Sequence, residues 1–133
     1  MSSLIDESDD NLKLARNSSV RKMLHKKGHN LPKPEQVYFS DFVVKINRRE
    51  KEQRRVLLVT DKALYNLMPK DFSSCKRRIK IDDVVSITMS QRSDEFVVHV
   101  PEEYDYRFKS AKKEAIARVL AELYRSRTGL KLK

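Results

Sequence analysis

Alternating apolar and polar positions dominate the middle of the chain, from residue 37 to residue 108. Patterns of this kind have a period of two, so each run places its apolar side chains on one face of a sheet. The predicted strands cover residues 37–46, 55–60, 62–67, 77–81, 84–90, 95–100 and 104–108. About seven short strands at this close spacing indicate a small antiparallel barrel or sandwich.

The segment before the strands predicts a short basic helix and a linker. Apolar residues recur at roughly helical spacing over residues 10–27, among lysines and arginines. We expect Asp9 or Asp10 to cap this helix and Gly28 to end it. Residues 29–36 contain two prolines, which keep the backbone out of the helical region, so we expect an extended linker. The apolar stripe of the helix is short, and we favour its packing on the barrel over its insertion into a bilayer surface.

A longer amphipathic helix is predicted over residues 110–127. Ser110 is the expected N-cap and Gly129 the expected stop. Its apolar stripe consists of Ala115, Ile116, Val119, Leu120, Leu123 and Tyr124. We expect this helix to lie over an open end of the barrel, where it covers apolar side chains and strand edges.

A length of 133 residues allows one domain with one modest core. We divide the chain into an acidic, disordered segment 1–10, a basic helix with its linker in 11–35, and a folded domain in 36–130. The single cysteine, Cys75, cannot form an internal disulfide and fits a reducing compartment. There is no signal sequence and no apolar run near the roughly 18 residues of a spanning helix, so we expect a cytoplasmic protein.

The net charge of +10 is concentrated in one third of the chain. Residues 11–55 carry 13 bases against 4 acids, whereas residues 1–10 carry 4 acids and no base. From Lys45 to Arg55, between the first two predicted strands, 6 of 11 residues are basic and 2 are acidic. Like charges repel at this density, so this hairpin is expected to attract a polyanion such as an anionic membrane surface.

Two other binding functions compete with membrane attachment. A nucleic-acid-binding domain suits the net charge, but the chain has no RNA- or DNA-binding motif, and its bases cluster in a hairpin rather than on a sheet face with stacking rings. A protein-docking module is the other alternative. No Ser/His/Asp or Cys/His set is apparent, and His25 and His29 are separated by Gly28 and lack a third ligand. We therefore predict no enzyme activity, no cofactor and no metal.

Three long and unusual strings extend this interpretation: "VYFSDFVVKINRREKEQRRVLLVTDKALYNL", "KRRIKIDDVVSITMS" and "SDEFVVHVPEEYDYRFKS". They strongly resemble the first tail-homology domain of class I myosins, over roughly residues 36–130. The resemblance implies a pleckstrin-homology-like fold, with a seven-stranded antiparallel barrel, a C-terminal amphipathic helix and, here, a short N-terminal basic helix. It also implies binding to anionic phospholipids, especially phosphoinositides, at the inner face of the plasma membrane, with actin-associated proteins as further partners. The chain has two glycines, Gly28 and Gly129, and therefore no phosphate-binding loop of a motor.

The resemblance also implies a headgroup site in the first hairpin. Members of the fold place a lysine near the end of strand one and Lys/Arg-x-Arg at the start of strand two. Lys45 and Arg55 match this pattern, whereas Gln53 departs from it, which puts headgroup selectivity in doubt more than binding. Tyr65 resembles a tyrosine that some members use to reach a phosphate; the alternative is a core tyrosine. The expected phospholipid-binding residues are Lys45, Arg48, Arg49, Arg54, Arg55, Tyr65, Lys76 and Arg77.

Overall fold

Seven antiparallel strands form one sheet, which confirms the predicted fold class. The computed structural model describes residues 9–28 and 33–133. The strands are β1 (Val37–Ile46), β2 (Glu52–Thr60), β3 (Ala63–Met68), β4 (Asp71–Lys80), β5 (Ser86–Met89), β6 (Glu95–His99) and β7 (Asp105–Lys109). Their order is β4-β3-β2-β1-β7-β6-β5, so β1 joins the two halves of the sheet and β4 and β5 form its edges.

The strand bounds follow the apolar pattern closely except in β2, which begins at Glu52 rather than at residue 55, and in β4. The prediction began this strand at residue 77 and treated residues 70–76 as a loop, but β4 begins at Asp71. Leu67 pairs with Cys75 and Met68 with Asp71, so β4 bulges between these two pairs. The Asp71 carboxylate accepts bonds from the backbone and hydroxyl of Ser73 within the bulge. Polar residues in an irregular strand break the alternation on which the prediction depended.

One face of the sheet, here called the inner face, carries the main core. Its buried side chains include Phe39, Val43, Leu57, Phe96 and Phe108, and the last two rings stack at 5.5 Å between centroids. The second helix, α2 (Lys113–Thr128), packs on this core. Its buried residues are Ile116, Val119, Leu120 and Leu123. The predicted helix thus covers the core of the barrel.

Helix α2 begins three residues later than predicted. Ser110 precedes the helix rather than capping it, and its hydroxyl accepts a bond from the backbone N–H of Lys112 at 2.9 Å. At the other end, Gly129 adopts φ of 75° and donates its N–H to the carbonyl of Arg125, which ends the helix as predicted.

The opposite face of the sheet, here called the outer face, is covered by the first helix, α1 (Ser18–Lys27). Val20, Met23 and Leu24 of α1 are buried against it. The strand residues beneath them include Val56, Leu58, Tyr65 and Leu67. The first helix therefore packs on the barrel, as predicted, and its apolar stripe is not available to a bilayer. Neither α1 nor α2 has the length and apolarity needed to cross a membrane.

Helix α1 begins at Ser18 rather than near residue 10. Asn17 is its N-cap, and the Asn17 Oδ1 accepts a bond from the backbone N–H of Val20 at 3.0 Å. Leu14–Arg16 form a separate 3-10 turn before it. Gly28 ends the helix as predicted. A Cβ at Gly28 would lie 2.8 Å from the Glu35 carboxylate, so this position requires glycine for close approach.

Two buried carboxylates lie near the two ends of α1. Asp10, placed by the prediction in a disordered segment or as the cap of α1, accepts bonds from Leu14 N, Ala15 N and the Ser40 hydroxyl. Glu35 lies beyond the other end of α1 and accepts bonds from Thr60, Tyr65 and Arg78. The predicted disorder of residues 1–8 and the linker residues 29–32 fall outside the described part of the chain.

Cys75 lies on β4 and packs against the side chains under α1. Burial raises the pKa of its thiol, and the nearby ammonium of Lys27 offsets part of this effect. A half-buried thiol with a raised pKa is mostly protonated and unreactive at neutral pH.

Candidate anion-binding site

The turn between β1 and β2 spans residues 47–51 and is held by the side chain of Asn47. Its Oδ1 accepts bonds from the backbone N–H groups of Arg49 at 2.9 Å and Lys51 at 3.0 Å. Glu50 adopts a left-handed conformation with φ of 63°, which lets the chain reverse within the turn. The basic side chains of the turn therefore project from a hydrogen-bonded scaffold.

Lys45 and Arg55 lie on the inner face of this hairpin. Arg55 pairs across the strands with Val43, whose side chain belongs to the inner core. Lys45 pairs with Gln53, two residues further along each strand and hence on the same face. The two cations are diagonal neighbours rather than direct partners. Gln53 shares their face, so the departure from the family pattern leaves one neutral position there.

Tyr104 directly precedes β7, and two more cations lie beside its ring. The guanidinium of Arg48 lies 5.0 Å from the centre of its ring, and that of Arg77 lies 6.0 Å away. Arg77 also donates from Nη2 to the Tyr104 hydroxyl at 3.4 Å, and its Nε lies 3.7 Å from the Glu103 carboxylate. Cations from β1–β2 and β4 are thus gathered around one aromatic ring.

The pKa of the Tyr104 hydroxyl reflects the positive charge around it. Burial raises its pKa, but this is outweighed by a hydrogen bond with Tyr106 and by the charges of Arg77 and Lys45. The net result is a pKa of Tyr104 below the ordinary tyrosine value. This set of side chains is called the cationic site below: Lys45, Arg48, Arg55, Arg77 and Tyr104.

Two polar atoms beneath the cationic site lack hydrogen-bond partners among the described residues. They are Arg55 Nε and Asn66 Oδ1. Asn66 pairs with Leu57 on one side and with Arg77 on the other, so both atoms belong to the inner face. Arg55 donates from Nη1 to the carbonyl of Arg54 at 2.7 Å, which leaves its Nε unused. A buried donor or acceptor without a partner costs about 1–3 kcal/mol, so this floor is suited to a ligand that carries both acceptors and hydroxyls.

The two acids of the hairpin are neutralised by bases from β7. Glu50 pairs with Arg107 at 2.5 Å, and Glu52 pairs with Lys109 at 2.9 Å. Arg107 and Lys109 alternate with the buried Phe108, which places them on the outer side of the sheet. The acids are thereby directed away from the cationic site. Within the described residues, Lys45, Arg48 and Arg55 form no ion pair.

Two predicted lipid ligands lie on the outer face, opposite Lys45 and Arg55. Arg54 extends to the outer face, where its guanidinium stacks over Phe42 at 4.5 Å from the ring centre. Tyr65 is fully buried under α1, and its hydroxyl bonds to Glu35 and Arg78. Burial, reinforced by the Glu35 carboxylate, raises the pKa of Tyr65, so it remains a neutral donor. Tyr65 is the core tyrosine of the alternative interpretation, because the sheet separates it from Lys45.

Two further predicted ligands, Arg49 and Lys76, lie apart from the cationic site. Both are exposed and lie outside the cluster around Tyr104. Tyr104 was not among the predicted ligands. The sequence offers one signal for it, since it follows Pro101 and two acids in a turn directly before β7.

The geometry supports binding of a compact polyanion and offers little to other chemistry. Arginine presents planar donors that match phosphate oxygens, and lysine adds a mobile point charge. No group of three metal-ligating side chains occurs in residues 9–28 or 33–133, and His29 lies outside them.

Comparison with protein families matches residues 8–133 to a family described as unconventional myosin tail, actin- and lipid-binding. Myosin heavy chain IB of Acanthamoeba castellanii is 38% identical over 96 residues, which is 68% of this chain and 8% of that protein. Myosin IB heavy chain of Dictyostelium discoideum is 33% identical over 104 residues, or 73% of this chain and 9% of that protein. The chain therefore spans less than a tenth of the length of these two relatives.

Solved structures share the fold at low sequence identity. The C-terminal PH domain of human pleckstrin superposes with a TM-score of 0.61 at 13% identity, covering 68% of this chain and 81% of that one. The linker-DH/PH structure of p115-RhoGEF superposes with a TM-score of 0.63 at 14% identity, covering 93% of this chain and 38% of that one. The pleckstrin-homology-like architecture is therefore confirmed.

Proposed function

The chain belongs to the family of class I myosin tail domains described as actin- and lipid-binding, and we propose that its cationic site binds the phosphorylated headgroup of a phosphoinositide. The tail family and the pleckstrin-homology-like fold are non-enzymatic binding modules. The observation that carries the proposal is the convergence of Lys45, Arg48 and Arg77 on Tyr104, with Arg55 on the same face.

Arg77 supplies a charge that the hairpin itself lacks. Gln53 leaves one position of the family pattern neutral, and Arg77 reaches the same inner face from β4. The contact with Tyr104 fixes its guanidinium beside the hairpin. We therefore propose a headgroup site shared between two hairpins, in which Arg48 and Arg77 flank the ring and Lys45 and Arg55 form the inner wall.

Attachment through this site is reversible and sensitive to salt. Each base beside an anionic leaflet contributes about 1 kcal/mol, so the four cations together account for about 4 kcal/mol of attraction. Screening at physiological ionic strength acts over about 8 Å and weakens the exposed members most. We propose that the domain acts as a peripheral tether at the inner face of the plasma membrane.

Vesicle sedimentation tests the proposal with a pair of double variants. We expect wild type to bind vesicles containing phosphatidylinositol bisphosphate more tightly than phosphatidylserine vesicles of equal total charge. Lys45→Ala with Arg55→Ala removes two inner-face cations and should weaken bisphosphate binding about 30-fold, from about 2 kcal/mol of lost attraction. The matched control, Arg54→Ala with Lys80→Ala, removes the same charge from the outer face of the sheet and should lose less than about fivefold.

The outcomes separate a headgroup site from a diffuse basic surface. Equal losses in the two double variants, or equal binding of both lipids by wild type, would contradict a headgroup site. A single-stranded oligonucleotide added as competitor addresses the nucleic-acid alternative. If the oligonucleotide displaces the protein from bisphosphate vesicles when its total charge is a tenth of the lipid's, the result would favour the nucleic-acid alternative.

Tyr104 provides a second prediction about the same site. Tyr104→Leu removes both the ring that holds the two arginines and the hydroxyl that accepts from Arg77, while keeping net charge constant. We expect bisphosphate affinity to fall about five- to thirtyfold, because the two cation–π contacts are worth about 0.5–1 kcal/mol each at exposed sites. Tyr104→Phe retains the ring and should lose less than about threefold. Titration calorimetry with a soluble headgroup measures both, and equal affinity of Tyr104→Leu and wild type would remove Tyr104 from the site.

A further inference from the structure

The exposed face of α1 is a second basic surface, separate from the cationic site. Residues 11–28 contain six bases and no acid. Arg21, Lys22, Lys26 and Lys27 are all exposed on α1. None of them forms an ion pair with another residue in the described part of the chain. A helix that leaves four cations uncompensated is, like the hairpin, arranged for an anionic partner.

The sheet separates the two basic surfaces. Val43, beside Arg55, belongs to the inner core, whereas Val20 and Leu24 of α1 pack on the outer face with Val56 and Leu58. Neighbouring residues of β2 therefore point to the two sites in alternation. A bilayer that is bound at Lys45 and Arg55 leaves the α1 surface on the other side of the sheet.

A bilayer is a poor partner for the α1 surface. Helices that lie in a membrane surface insert an apolar face beneath the headgroups. The apolar residues of α1 are committed to the outer face, with Val20 at 0%, Leu24 at 4% and Met23 at 7% exposure. What α1 presents is a set of exposed charges on a helix that Asp10 anchors to the sheet through the preceding turn. Fixed spacing suits a partner whose anionic groups are also fixed.

We propose that the exposed face of α1 docks on an acidic protein surface, and that this surface is that of an actin filament. The family description names actin as the protein partner. A filament repeats its surface carboxylates at regular intervals, so several domains on one membrane can engage it together. In this arrangement the inner face holds lipid while the outer face holds the filament. The proposal does not depend on the headgroup site, because the two surfaces share no residue.

Co-sedimentation with actin filaments at about 0.1 M salt, where screening acts over about 10 Å, tests the assignment. The test variant replaces Arg21, Lys22, Lys26 and Lys27 with glutamine, which preserves helix propensity. The matched control replaces four other exposed bases with glutamine: Lys80, Arg92, Arg125 and Lys131. Both variants lose four charges. We expect the α1 variant to bind filaments at least about tenfold more weakly than wild type, and the control less than about threefold.

Vesicle binding supplies the folding control and the second half of the test. The α1 variant should retain bisphosphate vesicle binding within about threefold, since the headgroup site is intact. The Lys45→Ala with Arg55→Ala variant should show the reverse, binding filaments within about threefold of wild type and bisphosphate vesicles about 30-fold more weakly. The proposal is overturned if the α1 variant and its matched control bind filaments equally. It is also overturned if the α1 variant loses vesicle binding as strongly as filament binding, because α1 would then face the bilayer.

Discussion

Glu35→Ala is expected to lower the free energy of unfolding by about 4 kcal/mol, the largest effect of any substitution considered for this domain. The Glu35 side chain is 2% exposed. Its carboxylate accepts bonds from the Thr60 hydroxyl at 2.6 Å, from the Tyr65 hydroxyl at 2.9 Å and from Arg78 Nη2 at 3.1 Å. Alanine would leave all three donors without this acceptor, and the charge of Arg78 would lose its partner in a half-buried position.

Urea denaturation followed by circular dichroism measures the loss for Glu35→Ala. Glu35→Gln keeps the shape and can still accept from one or two of the donors, so it should lose less, about 2 kcal/mol. Glu102→Ala is the matched control, because it removes an exposed carboxylate; we expect a change within about 0.5 kcal/mol. A loss below about 1 kcal/mol for Glu35→Ala would show that water replaces the carboxylate at little cost.

Asp10→Ala is expected to cost about 3 kcal/mol of unfolding free energy, at about 1 kcal/mol for each of three lost hydrogen bonds. Asp10 is 3% exposed and accepts from the backbone N–H groups of Leu14 and Ala15, both at 3.0 Å. It also accepts from the hydroxyl of Ser40, which is fully buried on β1. The carboxylate thus joins the turn before α1 to the centre of the sheet.

A double-mutant cycle tests the link between Asp10 and β1. The changes are Asp10→Ala, Ser40→Ala and both together, each measured by urea denaturation. We expect a coupling of about 1 kcal/mol between the two sites, because either single change already breaks the shared bond. Asp94→Ala is the control for loss of an exposed carboxylate and should be near neutral. Additive single changes would mean that Asp10 stabilises the turn alone.

The sheet could be predicted because its strands alternate and its partners are close in sequence. Residues 37–46 were predicted as one strand and form β1 with the same bounds. The inward direction of Lys45 and Arg55 follows from the same parity, since each lies an even number of residues from a core position. The position of Tyr65 also follows from parity. Its own neighbours Leu64 and Asn66 face inward, so a tyrosine between them faces α1.

The remaining features depend on contacts between distant parts of the chain, which no local pattern reveals. Asp10 bonds to Ser40, and Glu35 bonds to Arg78, 43 residues away. The acids of the hairpin find their bases on β7, 57 residues later. Counted along the sequence, Glu50 offsets part of the positive charge of the hairpin. In the fold, its carboxylate pairs with Arg107 on the outer side of the sheet, away from the cations of the inner face.

Because Cys75 lies under α1, the reactivity of its thiol reports the detachment of α1 from the sheet. The thiol is the single cysteine and is half-buried under the helix, with a pKa raised by that burial. When α1 lifts from the sheet, the sulfur meets water, its pKa falls toward the ordinary value and alkylation accelerates. The labelling rate of the unmodified protein therefore measures how often the outer face opens. Bound filaments would slow the reaction, whereas headgroups bound on the inner face would leave it unchanged.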